Sequence, residues 1–482
     1  MITAQRPVLD PPPDLAPGLE RAFAFVPEER SGPVQVEGSL PASLRGTYYL
    51  NGPARFARAG LRYRHWLDGD GMVCALRFDD AGESGAHLTA RFVRSAKWTA
   101  EEEAGRPLFR AFGTAFPGDR LVRGVALESP VNVSVVPWRD TLLAFGEQGL
   151  PYELDPVTLE TRGLYNFGGT LNPVSPLAAH AKVDPTNGEL LDFGVSFASA
   201  RPLLNLYRYS AEGALLYRRR LPLPFPCSLH DFALSPRHAV FYLAPYVLDV
   251  ERLLREGSTL MESLVWRPEL GTRLLVVDRQ TGEAVADLPI GDRYCLHTIN
   301  AFEEGDLLAV DVVELDRPVY DQYEVVPDLF TSVSPGRPVR LLVDLRGGSL
   351  VERRELGPTE APDFPAIAPC RTGLPTEDVW MLDISTAGRP GRKFFDRLVH
   401  LPAGGTPDVW QAPPGVYLGG EPAFAPLAGE ERGAVLCQRF DAVANESAFL
   451  VFDAFGVAAG PRAVLPLESP LHLGFHAVFV PE

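Results

Sequence analysis

The stretch LHTINAFEEGDLLAVDVVEL, residues 296–315, sets the reading of this chain. An apolar run that opens on a histidine is closed by Glu-Glu-Gly-Asp, and a second run rich in Val and Leu follows at once. Two short strands joined by a tight turn suit this pattern, because the turn residues are polar and the β-branched residues fit a pleated sheet. The same grammar recurs in TLLAFGE (141–147), HAVFYLA (238–244), TRLLVVD (272–278), PVRLLVDL (338–345), DRLVHL (396–401), GAVLCQRF (433–440) and AFLVFDA (448–454). With 44 Gly and 46 Pro, the composition suits strands and turns rather than helices. The chain therefore reads as all-β.

Two segments break the grammar. Residues 99–116, TAEEEAGRPLFRAFGTAF, and 248–265, LDVERLLREGSTLMESLV, are expected to be helical or irregular insertions on the β scaffold. Residues 1–30 are Pro-rich and read as an N-terminal arm packed on the fold. No linker or shift of composition divides the remainder, so 31–482 is assigned to a single domain. Internal repeats are absent, and a pair of β-sandwiches would give similar strand statistics.

Asp and Glu number 62 against 45 Lys and Arg, with no basic block, so the field of the protein repels a phosphate backbone. Nucleic acid is excluded as a partner. Cys74, Cys227, Cys295, Cys370 and Cys437 are widely spaced without a C-x-x-C pair, which indicates neither a thiolate zinc site nor a disulfide framework. A reducing, cytoplasmic location fits, and no segment approaches 18 uninterrupted apolar residues. Peripheral membrane contact and oligomeric state stay open.

Four of the nine histidines share a setting at the edge of a strand-like run: His180 in LAAHAKVDP, His230 in CSLHDFALS, His297 in YCLHTINAF and His476 in LHLGFHAVFVP. Separations of 50, 67 and 179 residues are far too long for a local metal loop. Only a closed fold brings such positions together, and a propeller does so because its inner strands face one axis. Taken singly, each reads most simply as a structural histidine. As a set of neutral imidazoles they suit iron, zinc or copper alike. His65, His87, His238, His400 and His472 lack this setting and are read as structural or surface residues. HWLDGDGMV has the look of a calcium loop, but Asp68 and Asp70 lack the later ligands that such a loop requires.

The chain resembles the carotenoid cleavage oxygenases, a family that includes apocarotenoid- and stilbene-cleaving dioxygenases and the retinoid isomerase of the visual cycle. The resemblance runs through LRGTYYLNGPARF (44–56), HWLDGDGMVCALRF (65–78), EQGLPYELDPVTLET (147–161), AHAKVDPTNGELLDFG (179–194), LHDFALS (229–235), LHTINAFEEGD (296–306), GEPAFAP (420–426) and GFHAVFVP (474–481). It implies a seven-bladed β-propeller with capping loops and short helical insertions over an axial metal site. It further implies Fe(2+) held by His180, His230, His297 and His476. About 69 residues per blade are then available, room for four strands and long loops.

The family's orienting carboxylates fall on Glu147 and Glu421, and the third on Asp363, where Asp-Phe-Pro replaces the usual Glu-Phe-Pro. Aspartate is one methylene shorter, so its contact with His297 is expected to be longer or water-bridged. The implied reaction is oxidative cleavage, with O2, of a conjugated double bond in a hydrophobic carotenoid or apocarotenoid polyene. Trp98, Phe109, Phe112, Phe116 and Trp266 are candidate tunnel walls, and LFRAFGTAF is a candidate patch for membrane contact. A stilbene-cleaving enzyme is the alternative. Such relatives recognise a phenol through Tyr and Lys, whereas this chain places Trp98 at the aligned tyrosine and no Lys in ESPVNVS (128–134). A propeller that serves only as a binding scaffold is the reading from outside enzymology, disfavoured by four intact ligand positions.

Overall fold

The computed structural model describes residues 14–79, 85–122, 126–197, 201–319, 325–429 and 432–482. Residues 1–13 of the expected arm lie outside them. Seven antiparallel sheets, five of four strands and two of five, stand around one axis as a seven-bladed β-propeller. Six blades start from an inner strand: Ser134–Trp138, Lys182–Val183, Ala233–Leu234, Tyr294–Glu304, Pro362–Ala366 and Val416–Pro426. The seventh inner strand, Ala477–Pro481, comes from the C-terminus and pairs with Gly46–Ala54 in the register Gly46↔Pro481 to Leu50↔Ala477. The ring is closed by joining the two ends of the chain in one sheet, which removes the free edges an open fan would expose. Glu37–Gly38 adds a second tie by pairing with Ala463–Pro466 of the last blade.

Burial follows position within a blade. Middle strands are sandwiched between neighbouring blades, so His238–Leu243 is buried throughout and its sequence is a continuous apolar run. Outer strands such as Ser349–Glu355, SLVERRE, are largely exposed and carry charges that discourage edge-to-edge pairing.

The insertions are shorter than their apolar patterns suggest. A helix spans Ala96–Ala104, beginning where the Ser95 side chain accepts a hydrogen bond from the Trp98 amide and ending at Gly105, whose φ of 63° suits glycine. Residues 105–116 then run as loop, with Pro107 just beyond the cap. In the other segment Asp249 caps Val250–Leu253 and Thr259 caps Leu260–Ser263, with Gly257 at φ 79° between them. Leu264–Trp266 is a strand paired with Tyr246–Leu248. None of the helices among the described residues is long and apolar enough to cross a membrane.

Leu19, Ala22 and Phe23 are buried against the propeller. The His472 ring stacks on Phe25 at 4.3 Å and places its nitrogens 2.5 and 2.9 Å from the carbonyl oxygens of Ala22 and Phe25. Burial pushes the pKa of this imidazole down to about 4.

If the terminal pairing holds the ring, truncating a buried side chain on the closing strand destabilises the whole molecule. Phe479→Ala, at a site 3% exposed, is expected to cost about 3–5 kcal/mol and to lower the thermal midpoint. An unchanged midpoint would show that closure does not limit stability.

Candidate metal centre

His180 and His230 stand just ahead of the inner strands Lys182–Val183 and Ala233–Leu234, His297 lies within Tyr294–Glu304, and His476 immediately precedes the closing strand. Four blades thus each send one imidazole to the axis. In a regular strand, alternation fixes which side chains face inward. Here the ladder is irregular between Cys295 and Asn300 around His297, between Asp363 and Ala366, and between Gly419 and Ala423 around Glu421. Bulges of this kind re-aim a side chain locally without disturbing the rest of the blade.

One nitrogen from each of the four rings lies within 4.8 Å of the others. His180 Nε2 is 2.9 Å from His230 Nε2, which is 3.2 Å from His297 Nε2. With metal–nitrogen bonds of about 2.1 Å, ligands at right angles stand about 3.0 Å apart and tetrahedral ligands about 3.4 Å apart. The two spacings are of the size expected for imidazoles that share one ion.

The outer nitrogens settle the tautomers. His230 Nδ1 donates to Glu147 Oε1 at 2.9 Å, His297 Nδ1 to Asp363 Oδ1 at 2.5 Å, and His476 Nδ1 to Glu421 Oε2 at 3.2 Å. Each donation leaves a lone pair on the inward Nε2, so acceptor atoms face one another across the axis. A cation at the centre turns that repulsion into binding. Burial, reinforced by the neighbouring imidazoles, holds the pKa of His180 well below its ordinary value, and burial also lowers His476. Both are neutral near pH 7, the form that binds metal. At His297 burial works the same way, but Asp363 outweighs it and the pKa is raised. The residues present fit a divalent metal held by four imidazoles.

Contrary to the expectation of a long or water-bridged contact, Asp363 touches His297 directly. Phe364, the next residue, sits at φ 53° within the ladder irregularity between Asp363 and Ala366. Such a conformation in a bulky residue costs on the order of 1–3 kcal/mol. The Phe364 ring lies 5.5 and 5.3 Å from the His297 and His476 rings.

Asp231 is a neighbour that the sequence reading passed over. Its Oδ2 accepts from the amide and hydroxyl of Thr298, both at 2.8 Å, while Oδ1 faces Lys182 Nζ at 2.9 Å and His180 Nδ1 at 3.6 Å. A carboxylate beside the ligand in LHDF was the available signal.

Two chambers meet at the histidines. Residues that follow them along the inner strands line an axial chamber of about 220 Å³ whose mixed wall includes the polar side chains of Lys182, Asp231, Thr298 and Asn300 beside apolar ones such as Phe232, Ile299 and Phe479. On the capped side Trp66, Leu67, Phe330, Phe364, Phe395 and Phe475 surround His230, His297 and His476. Of the expected tunnel walls, Phe112 lines a cleft beside Leu67 that reaches Glu147. Trp98, Phe109, Phe116 and Trp266 lie outside these linings. Trp98 packs on Phe92 under the Arg94 guanidinium, and Trp266 packs on Tyr294. LFRAFGTAF is not an exposed apolar patch, since Leu108, Ala111 and Phe112 are buried and Phe109 and Phe116 half-buried.

The sequence profile of the retinal pigment epithelial membrane protein family matches residues 23–481. An apocarotenoid-15,15'-oxygenase from Synechocystis is 30% identical over 476 residues, covering 94% of each chain. An isoeugenol monooxygenase from Pseudomonas nitroreducens is 28% identical over 472 residues, covering 93% of this chain and 94% of its own. The solved structure of cobalt-substituted Synechocystis apocarotenoid oxygenase, 27% identical, superposes with a TM-score of 0.85 over 96% of this chain and 98% of its own.

The direct Asp363 contact sets an expectation for metal titrations of the stripped protein. Asp363→Ala should weaken the apparent dissociation constant about 10- to 100-fold. Asp363→Glu, whose extra methylene crowds an imidazole already at 2.5 Å, should also bind more weakly than the parent. Tighter binding by the Glu variant would show that the aspartate is too short for its task.

Proposed function

Because this chain belongs to the retinal pigment epithelial membrane protein family, the carotenoid cleavage oxygenases, we propose that it is a non-haem iron dioxygenase that cleaves a conjugated double bond of a carotenoid or apocarotenoid. The observation that carries this reading is the gathering of four imidazoles at the axis, three of which, His230, His297 and His476, line an aromatic chamber. In the reaction the C=C bond breaks and each carbon takes one atom of O2, giving two carbonyl products. Ferrous iron, when bound by His180, His230, His297 and His476, supplies the activation of dioxygen.

The remaining work falls to the protein. Four neutral ligands leave the dipositive charge of the ion undiminished by any bound carboxylate. Glu147, Asp363 and Glu421 hold three of the rings in orientation, so their geometry need not reorganise during turnover. Trp66, Phe330, Phe364, Phe395 and Phe475 offer flat apolar faces to a conjugated chain and keep water from the reacting bond. In this reading residues 31–482 act as one catalytic unit with residues 14–30 laid on it. The buried thiols Cys74, Cys227, Cys295 and Cys437 are unpaired, as suits the cytoplasm.

Iron-loaded protein incubated with carotenoids, apocarotenals and hydroxystilbenes tests the proposal through product masses. The expected outcome is two carbonyl fragments from an apocarotenoid and about one iron per chain. Replacing any of the four ligand histidines by Ala should reduce turnover to background. His238→Ala and His400→Ala, whose rings face Glu303 and Asp378, should leave iron content unchanged. Faster cleavage of a hydroxystilbene than of every apocarotenoid would contradict the polyene assignment.

A further inference from the structure

The aromatic chamber is only as well defined as the loop that carries Phe330. Residues 325–335 contain no strand, yet Leu329, Phe330 and Val333 are buried. A buried loop has peptide carbonyls that no ladder satisfies, and each needs a donor. The carbonyls of Phe330 and Thr331 accept from Lys393 Nζ at 3.0 and 2.8 Å, and the Gly391 carbonyl accepts from the same nitrogen at 2.8 Å.

Lys393 is 1% exposed, and among the described residues no carboxylate pairs with it. All three N–H groups of its ammonium go to main-chain oxygens. The charged groups of the surrounding elements are engaged with one another. Arg392 faces Asp328 of the loop and Asp14 and Glu20 of the N-terminal segment, and Asp396 accepts from the amide and hydroxyl of Ser385. The Tyr417 hydroxyl donates to the Pro17 carbonyl. Arg389 is the charge that acts on the lysine, and it opposes the ammonium.

What the lysine clamps is the chamber wall. Phe394 and Phe395 follow it directly in sequence, and Phe330 packs on their rings at 5.5 and 5.4 Å. Phe395 continues to Phe364 at 5.6 Å, and Trp66 lies 5.0 Å from Phe394. Building on the polyene reading, we infer that Lys393 is a positioning residue, whose ammonium fixes Phe330 against Phe394 and Phe395 and so sets the aromatic wall along which the conjugated chain lies. Lys393 is not itself among the residues that line the chamber.

The charge matters because a neutral amine has two N–H groups and a lone pair, which would face the third carbonyl. Burial, with Arg389 adding to it, brings the pKa of Lys393 down to about 8. Between that value and the ordinary lysine value of 10.5, the folded protein has released a proton that the unfolded chain keeps, so the contribution of this group to stability rises with pH. Loss of the proton therefore loosens the wall without favouring unfolding.

The test uses all-trans-retinol, a fluorescent polyene with no titratable group, bound to the iron-loaded protein under nitrogen so that nothing is cleaved. Its dissociation constant should weaken about 3- to 10-fold between about pH 7 and about pH 9.5, as the fraction of molecules with a competent wall falls. The midpoint should lie at about 8. The chain has three lysines, Lys97, Lys182 and Lys393, so isotopic labelling of lysine lets magnetic resonance show that Lys393 titrates with the same midpoint. Lys393→Met, which supplies no donor, should bind retinol as weakly at neutral pH as the parent does at alkaline pH, with no pH step. Its KM for a cleaved apocarotenoid should rise while kcat and iron content hold, since the interaction lost is one of binding. The pH profile of the parent needs no variant, so the test stands even if the Met protein failed to fold. Retinol affinity independent of pH in the parent, or a Lys393→Met protein that binds as the parent does, would overturn the inference and leave the polyene reading intact. If retinol were bound at no pH, the polyene reading would fall and this inference with it.

Discussion

The pairing of Gly46–Ala54 with Ala477–Pro481 is the contact on which the axis depends. It joins strands more than 400 residues apart in sequence, and it delivers His476 to the three imidazoles carried by the other blades. Without closure the metal centre would lack His476 and the aromatic chamber would lack Phe475. Long-range pairing of this kind is slow to form and cooperative once formed, so the site exists only when the whole ring exists.

Around the axis, the same local device recurs. Regular strands would alternate their side chains in and out, yet His297, Asp363 and Glu421 all sit where the ladder is irregular. Phe364 pays for its part with a left-handed backbone. Irregularities also occur in outer ladders, such as those between Arg208 and Tyr209 and between Leu342 and Val343, but at the axis they coincide with the residues that face the centre, and the buried middle strands of the blades supply the rigidity that holds them there.

Much of this was legible in the sequence, for reasons that differ from residue to residue. Strand after strand follows from apolar runs closed by turn residues. Spacing alone did not bring the four histidines together or choose their metal; the family resemblance did. Residues 99–116, expected to be helical or irregular, are both: the helix ends at Ala104 and the apolar pattern past Gly105 belongs to a loop. Trp98 and Lys97 show a subtler limit. Adjacent helix residues point about 100° apart, so an alignment correct to within one position can name the neighbour that faces away. Here Lys97 is held by Asp70 and Glu101, and Trp98 packs on Phe92. Asp363 taught the same lesson through the backbone, since side-chain length says little where the chain itself moves. The aromatic chamber was missed because Trp66, Phe330, Phe364, Phe395 and Phe475 come from distant segments that share no local pattern.

The central claim is that one metal is held by four imidazoles and by no carboxylate or thiolate. Extended X-ray absorption fine structure at the iron edge of the loaded protein tests it most directly, because imidazole rings leave a multiple-scattering signature that can be counted. The account predicts four imidazoles and no sulfur, with a fall to three in His476→Ala or complete loss of bound iron. A spectrum with three or fewer imidazoles in the parent, or one requiring sulfur, would contradict it.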